Sequence, residues 1–165
     1  MYEYAETNWF RRTVRLSAAL RPMSWFYART LHHLDRLVYR LTRGRGTFSS
    51  WIAGVPVVML TTTGAKSGQP RTLPLLGIPH DDSVVVIASN YGQYRNPAWY
   101  HNLRANPRAT IVFEGVRRAV VAHEMTGARE RWYARGIEIH PARRQYGERA
   151  AHRRIPIIEL RPAER

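Results

Sequence analysis

The chain has 165 residues, 44% of them hydrophobic, and a formal net charge of +14 at pH 7. This length and apolar content predict one globular domain with a packed core. Cysteine is absent, which excludes disulfides, thiolate metal ligands and thiol nucleophiles. No apolar run approaches the roughly 20 residues of a membrane span. Arg11, Arg12 and Arg15 interrupt the N-terminal apolar stretch, so no signal peptide is indicated and a cytoplasmic location is expected.

The positive charge calls for an anionic partner, and nucleic acid, an anionic membrane surface or a polyanionic small molecule are the candidates. The arginines are spread along the chain and form no single basic tract. No helix-turn-helix, zinc-finger or RNA-recognition motif is visible, so nucleic acid is not the expected partner.

Residues 1–46 are predicted to form an N-terminal helical cap or arm, and residues 47–165 the main domain. Leucines recur at helical spacing through Leu31, Leu34 and Leu41, with arginines largely on the other side. One interpretation, which we favour, packs this helix on its own domain. The other makes it a basic amphipathic helix that covers a pocket or lies on the anionic inner face of a membrane.

From Trp51 onward the chain changes to short β-branched runs separated by turn residues. The predicted strands are residues 57–63, 72–78, 84–89, 109–113, 118–125 and 155–160. Asp81-Asp82 and Glu114-Gly115 have the composition of tight hairpin turns. Six short strands with few helices between them favour a mainly β (α+β) protein built on a small antiparallel barrel.

The first predicted hairpin contains the only lysine of the chain, Lys66, within Thr63-Gly64-Ala65-Lys66-Ser67-Gly68. Such a turn offers backbone N–H groups and hydroxyls, and Lys66 and Arg71 add two cations at its rim. These are the donors that an anion cradle for phosphate requires. The spacing is not that of a P-loop, and the alternative is an ordinary basic hairpin loop.

Two Asn-Pro pairs, at Asn96-Pro97 and Asn106-Pro107, bracket one short predicted helix. Trp99 lies on its apolar face and is either a core residue, which we favour, or an aromatic wall for a planar ligand. A second helix is predicted over residues 128–139. It is followed by a polar loop, residues 140–146, in which Tyr146 is expected at the surface or at a hinge.

Conventional catalytic signatures are missing from the chain. There is no Gly-x-Ser-x-Gly elbow and no His-x-x-x-His pair, and the adjacent carboxylates Asp81 and Asp82 have the position of turn residues. No metal site is predicted. If the protein is an enzyme, a cofactor must carry the chemistry and the protein must hold it.

Three segments occur in order at a spacing that resembles the deazaflavin-dependent nitroreductase family. They read LTTTGAKSGQPRTLPL at residues 60–75, VIASNYG at 86–92 and NPAWYHNL at 96–103. The resemblance covers about residues 50–160. It implies a flavin-reductase-like, six-stranded antiparallel split β-barrel, with N-terminal helices and two flanking helices.

The resemblance implies hydride transfer from reduced coenzyme F-420, an 8-hydroxy-5-deazaflavin, to a quinone, a nitroaromatic or a similar acceptor. The phosphodiester and oligoglutamate tail of this coenzyme is a polyanion. By resemblance, the turn with Thr63 and Gly64 holds the phosphate and tail through Lys66, Ser67 and Arg71. The implied ring-side residues are Ile87, Ala88, Ser89 and Asn90, with Pro97, Ala98, Trp99 and Tyr100 closing over the ring. Ser89 and Tyr146 match positions where the family places catalytic polar groups near the substrate.

The chain departs from the family pattern at a few positions. Ala65 stands where many members carry arginine, and Asn90 where some carry a basic residue. His140 and Arg143 stand where other members place tyrosines. The wider superfamily implied by the resemblance also binds flavin mononucleotide, which is the alternative cofactor. The alternative function is a non-catalytic split-barrel protein that binds a flavin, a tetrapyrrole or a fatty-acid-like ligand. A homodimer is expected because split barrels commonly pair.

Overall fold

The computed structural model describes Thr30, Leu34, Asp35, Leu37, Val38 and residues 54–163. Its six strands are β1 (Val57–Thr63), β2 (Pro70–His80), β3 (Ser83–Ile87), β4 (Arg108–Phe113), β5 (Val116–Glu124) and β6 (Ile157–Pro162). Its helices from residue 54 onward are α1 (Ala98–Ala105), α2 (Arg129–Ile139) and α3 (Arg143–Arg149), with a 3-10 turn at Asn90–Gly92. All strand pairs are antiparallel, and they close in the order β1-β2-β3-β6-β5-β4.

The hairpin turns use the chemistry expected of them. The β4–β5 turn places Glu114 and Gly115 at φ of 50° and 78°. Two positive φ values in a two-residue loop match the right-handed twist of the flanking strands. Asp81, in the β2–β3 turn, also has a positive φ, of 50°. The strands can therefore follow one another with short connections around most of the barrel.

Two apolar clusters hold the fold together. The first fills the barrel with residues such as Leu60, Val86 and Leu160, and α1 adds Trp99, Tyr100 and Leu103 to it. The second lies between the barrel wall and α2, where Ile78, Val85 and Ile87 pack with Trp132 and Ile139. Strand β3 is buried along its whole length because it contributes to both clusters.

The predicted barrel is confirmed: all six strands exist, β1 has the predicted range, and the ends of the other five strands differ from the sequence-based ranges by at most two residues. The core position of Trp99 is confirmed as well, since its side chain is 4% exposed. The polar loop predicted over residues 140–146 is wrong, because α3 begins at Arg143. Tyr146 is buried within α3, at 3% exposure, and lies neither at the surface nor at a hinge.

Only five residues of the predicted N-terminal cap are described, and all five have helical backbone. Leu34 and Leu37 of the predicted leucine stripe are 42% and 54% exposed, whereas Asp35 is 2% exposed. At these positions the helix therefore buries an acidic side chain and leaves two leucines accessible. The rest of the cap, including its boundary at residues 46 and 47, lies outside the described residues. Within the described part, no helix has the length and hydropathy of a membrane span.

Candidate functional site

The turn between β1 and β2 is closed by its own backbone. The Gly64 N–H donates to the Gln69 carbonyl at 2.9 Å, and the Gly68 N–H donates to the Gly64 carbonyl at 2.8 Å. Gly68 has a φ of 65°, which glycine adopts without steric cost. A Cβ at Gly64 would lie 2.6 Å from Ser67 Oγ, so only glycine fits there without displacing Ser67. The sequence suggested that the N–H groups of these glycines are open donors. The structure shows instead that both are paired within the turn and that the glycines determine its shape.

The open donors of this turn are the backbone N–H groups of Lys66 and Ser67. Neither has a hydrogen-bond partner among residues 54–163, and both residues are exposed. The Lys66 and Arg71 side chains are exposed beside them. Adjacent backbone N–H groups flanked by two cations provide the chemistry of a phosphate-binding loop. We call residues 64–71 the cationic turn.

Helix α1 holds the cationic turn through one amide. Asn102 Oδ1 accepts a hydrogen bond from the Ala65 N–H at 3.0 Å, and Asn102 Nδ2 donates to Thr62 Oγ1 at 3.0 Å. Asn106, just after the helix, donates to Thr63 Oγ1 at 3.5 Å. The turn is therefore ordered before any ligand arrives. Asn102 lies within the motif at residues 96–103, but the sequence alone assigned it no role.

The segment between β3 and α1, residues 88–96, is held by Arg153 from the loop after α3. The Arg153 guanidinium donates to the carbonyls of Gln93 at 3.1 Å, Ser89 at 3.0 Å and Ala88 at 3.5 Å, and to Asn96 Oδ1. Burial lowers the pKa of Arg153 from its ordinary value. Because a guanidinium is planar and has five N–H donors, one arginine can bind several backbone carbonyls at the same time. Sequence reasoning missed Arg153, because its partners lie about 60 residues earlier in the chain.

The two predicted catalytic residues, Ser89 and Tyr146, share Arg143 as a neighbour. Ser89 lies just after β3 and is 7% exposed. Tyr146 on α3 packs edge-on against Tyr91, with ring centroids 5.6 Å apart. Arg143 joins the two elements by donating from Nη1 to Ser89 Oγ at 3.4 Å. Ser89, Tyr91, Arg143 and Tyr146 thus form one buried polar group, which we call the Ser89 cluster.

Electrostatics in the Ser89 cluster are dominated by burial. Burial raises the pKa of Tyr91, the Asp35 carboxylate raises it further, and the Arg143 guanidinium opposes both. Asp35 therefore lies close enough to this cluster to act on Tyr91. Burial lowers the pKa of Arg143, against the favourable effect of Tyr133, Tyr146 and Tyr91. The cluster is a low-dielectric environment in which hydrogen bonds and charges act strongly.

The remaining predicted ring-side residues fall into different environments. Ile87 and Ala88 are buried in the two apolar clusters. Asn90 binds within its own segment, donating to the Arg95 carbonyl at 2.9 Å. Pro97 caps α1, Ala98 is exposed, and Trp99 and Tyr100 are buried, with Tyr100 Oη donating to Glu124 at 2.9 Å. Residues 54–163 contain no cluster of three potential metal ligands, nor do the five described N-terminal residues.

The family profile described as F420H(2)-dependent quinone reductase matches residues 34–162 of this chain. The chain belongs to this family. The F420H(2)-dependent quinone reductases share the deazaflavin coenzyme with the family that the three motifs indicated, so the resemblance seen in the sequence is confirmed. The matched range contains the cationic turn, residues 88–96 and the Ser89 cluster.

Two of the curated relatives are proteins of Mycobacterium tuberculosis H37Rv. An F420H(2)-dependent quinone reductase of Mycobacterium tuberculosis H37Rv is 44% identical over 82 residues, which span 49% of this chain and 54% of that protein. A candidate F420H(2)-dependent quinone reductase of the same strain is 38% identical over 111 residues, or 66% of this chain and 91% of that protein. The chain thus spans about half the length of the first of these relatives.

Solved structures agree on the architecture. An F420-H2-dependent reductase (FDR-A) superposes with a TM-score of 0.58 at 33% identity, covering 64% of this chain and 93% of that one. A structure described as a domain-swapped dimer has a TM-score of 0.61 at 28% identity, covering 84% of this chain and 98% of that one. The mainly β split-barrel fold is therefore shown by the strand order and by relatives of known structure.

The residues present fit a phosphate-bearing deazaflavin. The cationic turn supplies two open N–H groups and two exposed cations, which match a phosphodiester. Arg153 orders residues 88–96, which include most of the second motif at residues 86–92. The missing arginine at Ala65 removes one side-chain cation, but the Ala65 N–H has a structural role in binding Asn102.

Proposed function

We propose that this protein binds coenzyme F-420 and reduces a quinone or a similar small acceptor with it. Family membership supports the cofactor and the acceptor class. The observation that carries the proposal is the cationic turn, whose open N–H groups and exposed cations are held in place by Asn102 before binding. When bound, the reduced coenzyme would supply the hydride. The chain's own residues bind, orient and exclude water.

In this proposal the turn binds the tail and α1 closes the ring side. Lys66 and Ser67 donate backbone N–H groups to the phosphate, and the Lys66 and Arg71 side chains neutralise its charge. Thr63 and Gly64 shape the turn. Residues 87–90 lie along the ring, and residues 97–100 close over it. Because Ile87 and Ala88 have buried side chains, their contribution to a ring is mainly through the backbone.

Ser89 and Tyr146 are proposed as the polar residues on the substrate side. The Ser89 hydroxyl has a donor, Arg143, on one side and no other partner among residues 54–163. The ring of Tyr146 forms a wall with Tyr91. This arrangement can bind a carbonyl oxygen through Ser89 while planar aromatic walls orient the acceptor.

The test of the cofactor is a fluorescence titration of the purified protein with oxidised coenzyme F-420, followed by anaerobic turnover of menadione with the reduced form. Lys66→Ala should weaken coenzyme binding at least tenfold, because a charge-assisted contact contributes roughly 1.5–3 kcal/mol. Arg117→Ala, which removes an equal charge from an exposed position on β5, is the matched control and should change affinity less than twofold.

Flavin mononucleotide is the alternative cofactor, and we expect it to bind more weakly than the deazaflavin. Protein purified with stoichiometric flavin mononucleotide, or unchanged coenzyme affinity in Lys66→Ala, would count against the proposal. Coenzyme binding without turnover of any quinone or nitroaromatic would favour the non-catalytic binding protein over the enzyme.

Membrane contact is proposed from the exposure of Leu34 and Leu37 and from the net charge of +14. Exposed leucines beside basic residues suit the interface of an anionic leaflet at the inner face of the membrane. The Leu34→Gln/Leu37→Gln double variant should co-sediment less with anionic vesicles than the unmodified protein, and neither should bind neutral vesicles. Equal sedimentation of both proteins with anionic vesicles would show that Leu34 and Leu37 do not contribute to membrane binding.

A homodimer is proposed from the relative described as a domain-swapped dimer. Light scattering coupled to size-exclusion chromatography distinguishes it from a monomer of 19.2 kDa.

A further inference from the structure

Arg143 lies in a space that the fold leaves open for it. The residue begins α3 and is 5% exposed. Its side chain passes over Gly136 of α2, where a Cβ would lie 3.1 Å from Arg143 Cδ, 3.4 Å from Arg143 Nε and 2.7 Å from Ile87 Cδ1. A side chain at residue 136 would therefore compete with Arg143 and Ile87 for the same space. Glycine in the middle of a helix makes the helix less stable. At residue 136 this loss of helix stability is accompanied by the space that the Arg143 side chain needs.

The buried guanidinium has no acidic partner in the described part of the chain. Arg143 forms no ion pair with any described carboxylate, and its Nε has no hydrogen-bond acceptor there. Its described neighbours are the hydroxyl-bearing residues Ser89, Tyr91, Tyr133 and Tyr146. A buried cation without a counter-charge is costly. Asp35 is the described carboxylate that acts on this cluster, through Tyr91, but it forms no ion pair with Arg143. The guanidinium is therefore available to negative charge on a bound molecule.

The hydrogen bond from Arg143 determines whether the Ser89 hydroxyl can donate a hydrogen bond to a bound molecule or accept one from it. A guanidinium has donors only, so Ser89 Oγ must accept from Arg143 Nη1. The hydroxyl proton then has to point to a different acceptor. None is present among the described residues, since the Ser89 side chain has no other hydrogen bond there. Arg143 thereby leaves Ser89 as a hydrogen-bond donor toward a bound molecule.

We propose that Arg143 is a positioning residue that fixes Ser89 as the donor to a carbonyl oxygen of the acceptor, and that it stabilises the oxygen anion formed there through this hydrogen bond. The proposal rests on the proposed function. A quinone that receives a hydride gains two electrons and one hydrogen and becomes a hydroquinone monoanion. A proton from water completes the hydroquinone. Preorganised donors aimed at a developing oxyanion are a large source of rate enhancement.

The first test uses no cofactor and no turnover. Binding of 4-nitrophenol to the intact protein is followed through the absorbance of its phenolate form as the pH is varied. We expect the bound probe to ionise at lower pH than the free probe, because the site favours an oxygen anion. Arg143→Met and Ser89→Ala should both lose the shift. Arg144→Met, which removes an exposed arginine from the same helix, should keep it.

The second test separates positioning from plain structure. For menadione reduction, Arg143→Met should lower kcat at least tenfold, while the dissociation constant of oxidised coenzyme F-420 changes less than threefold. Combining it with Ser89→Ala should cost little more than Ser89→Ala alone, since both remove the same donor. Arg143→Lys, which keeps a donor-only cation, should recover part of kcat.

Several outcomes would overturn the proposal. One is that 4-nitrophenol shows no shift with the unmodified protein, or an equal shift with Arg143→Met. Another is that the losses in the double variant are additive. If Arg143→Met does not fold, Arg143→Gln, which also removes the cation, replaces it in both tests. A protein that shifts the 4-nitrophenol ionisation through Arg143 but reduces no quinone would contradict the proposed function and leave the oxyanion site intact.

Discussion

Asn102 shows how one side chain on a short helix can determine the shape of a binding turn. Its amide accepts from the Ala65 N–H and donates to Thr62 Oγ1, each at 3.0 Å. Thr62 is buried in β1, so the amide connects the exposed turn to the rigid barrel. A turn held in its binding conformation loses less conformational entropy when a ligand binds.

Asn102→Ala should therefore weaken binding of coenzyme F-420 about tenfold, although Asn102 itself need not touch the ligand. Loss of two hydrogen bonds corresponds to about 1–3 kcal/mol, shared between fold stability and binding. Fluorescence titration gives the affinity, and thermal unfolding gives the stability. His101→Ala, at the exposed neighbouring position, is the control and should leave both unchanged. Unchanged coenzyme affinity in Asn102→Ala would show that the turn keeps its shape without the amide.

Glu159 is a buried carboxylate on the barrel wall. Arg161 Nη2 approaches Glu159 Oε2 to 2.7 Å, and Ser83 Oγ donates to Glu159 Oε1 at 3.0 Å. Burial by itself would raise the pKa of Glu159, but the bonds from Arg161 and Ser83 and the nearby His80 outweigh it, so the pKa lies below its ordinary value. The folded state therefore favours the ionised form.

The Glu159 contribution to stability should be complete above pH of about 4.3, where an unfolded glutamate titrates. It should disappear as the pH falls through the lower folded-state pKa, because protonation then removes the charge-assisted bonds. Glu159→Gln should thus be less stable than the unmodified protein in urea at pH 7, and the difference should shrink at pH 3. Glu138→Gln, which breaks an exposed pair with Arg135, should have little effect at either pH. A difference that stays constant with pH would assign the role of Glu159 to packing.

At the scale of elements, residues 88–96 depend on the loop that follows α3. Three carbonyls and one side-chain amide of this segment accept hydrogen bonds from Arg153. His152 binds the Tyr94 carbonyl at 3.0 Å, and its ring stacks on Tyr94 at 4.5 Å. The segment has no strand partner of its own, so the loop supplies its order.

Arg153→Met should lower the free energy of unfolding by about 2 kcal/mol or more, because several carbonyls lose a charged donor. It should also raise the dissociation constant of coenzyme F-420 about tenfold, since Ser89 and Pro97 stand at the ends of the loosened segment. Arg154→Met, at the exposed next residue, is the matched control for both measurements. Lower stability with unchanged coenzyme affinity would mean that the segment does not contribute to the binding site.

The contrast between the barrel and α3 shows what local patterns can predict. Strands with β-branched residues and Asp-Asp or Glu-Gly turns were predicted correctly, because their signals lie within a few residues of each other. The polar composition of residues 140–146 predicts a loop, whereas the structure has α3 from Arg143 to Arg149, with Gly147 inside it. That glycine is there for packing: a Cβ would lie 2.7 Å from Tyr133 Oη. Only the folded structure reveals such a close approach.

The same limit applies to the site. The cationic turn is local, so its residues were found in the sequence, although the assignment of its open donors to Lys66 and Ser67 required the hydrogen bonds. Arg143 and Arg153 contact residues 54 to 65 positions away. In a chain with this many arginines, no local pattern distinguishes these two from the surface ones.

For the whole molecule, the charge of +14 makes binding of a polyanion sensitive to salt. The affinity for coenzyme F-420 should fall as sodium chloride rises from about 0.01 M to about 0.5 M, because the Debye length shrinks from about 30 Å to a few ångströms. Lys66→Ala should show a shallower dependence than the unmodified protein, whereas Arg117→Ala should show nearly the same slope. A salt-independent affinity would show that neutral contacts dominate binding.

Helix α1 connects the two ends of the proposed site. Its first residue follows the segment held by Arg153, and Asn102 holds the cationic turn four positions later. A helix advances 1.5 Å and turns 100° per residue. The length of α1 therefore sets the distance between residues 88–96 and the cationic turn. One residue inserted between Ala98 and Asn102 would rotate the amide away from the turn while leaving every residue type of the motif in place. The length of α1 is thus as strong a constraint on this protein as the identity of its side chains, whereas the β4–β5 turn at Gly115, with open space around it, can vary in length.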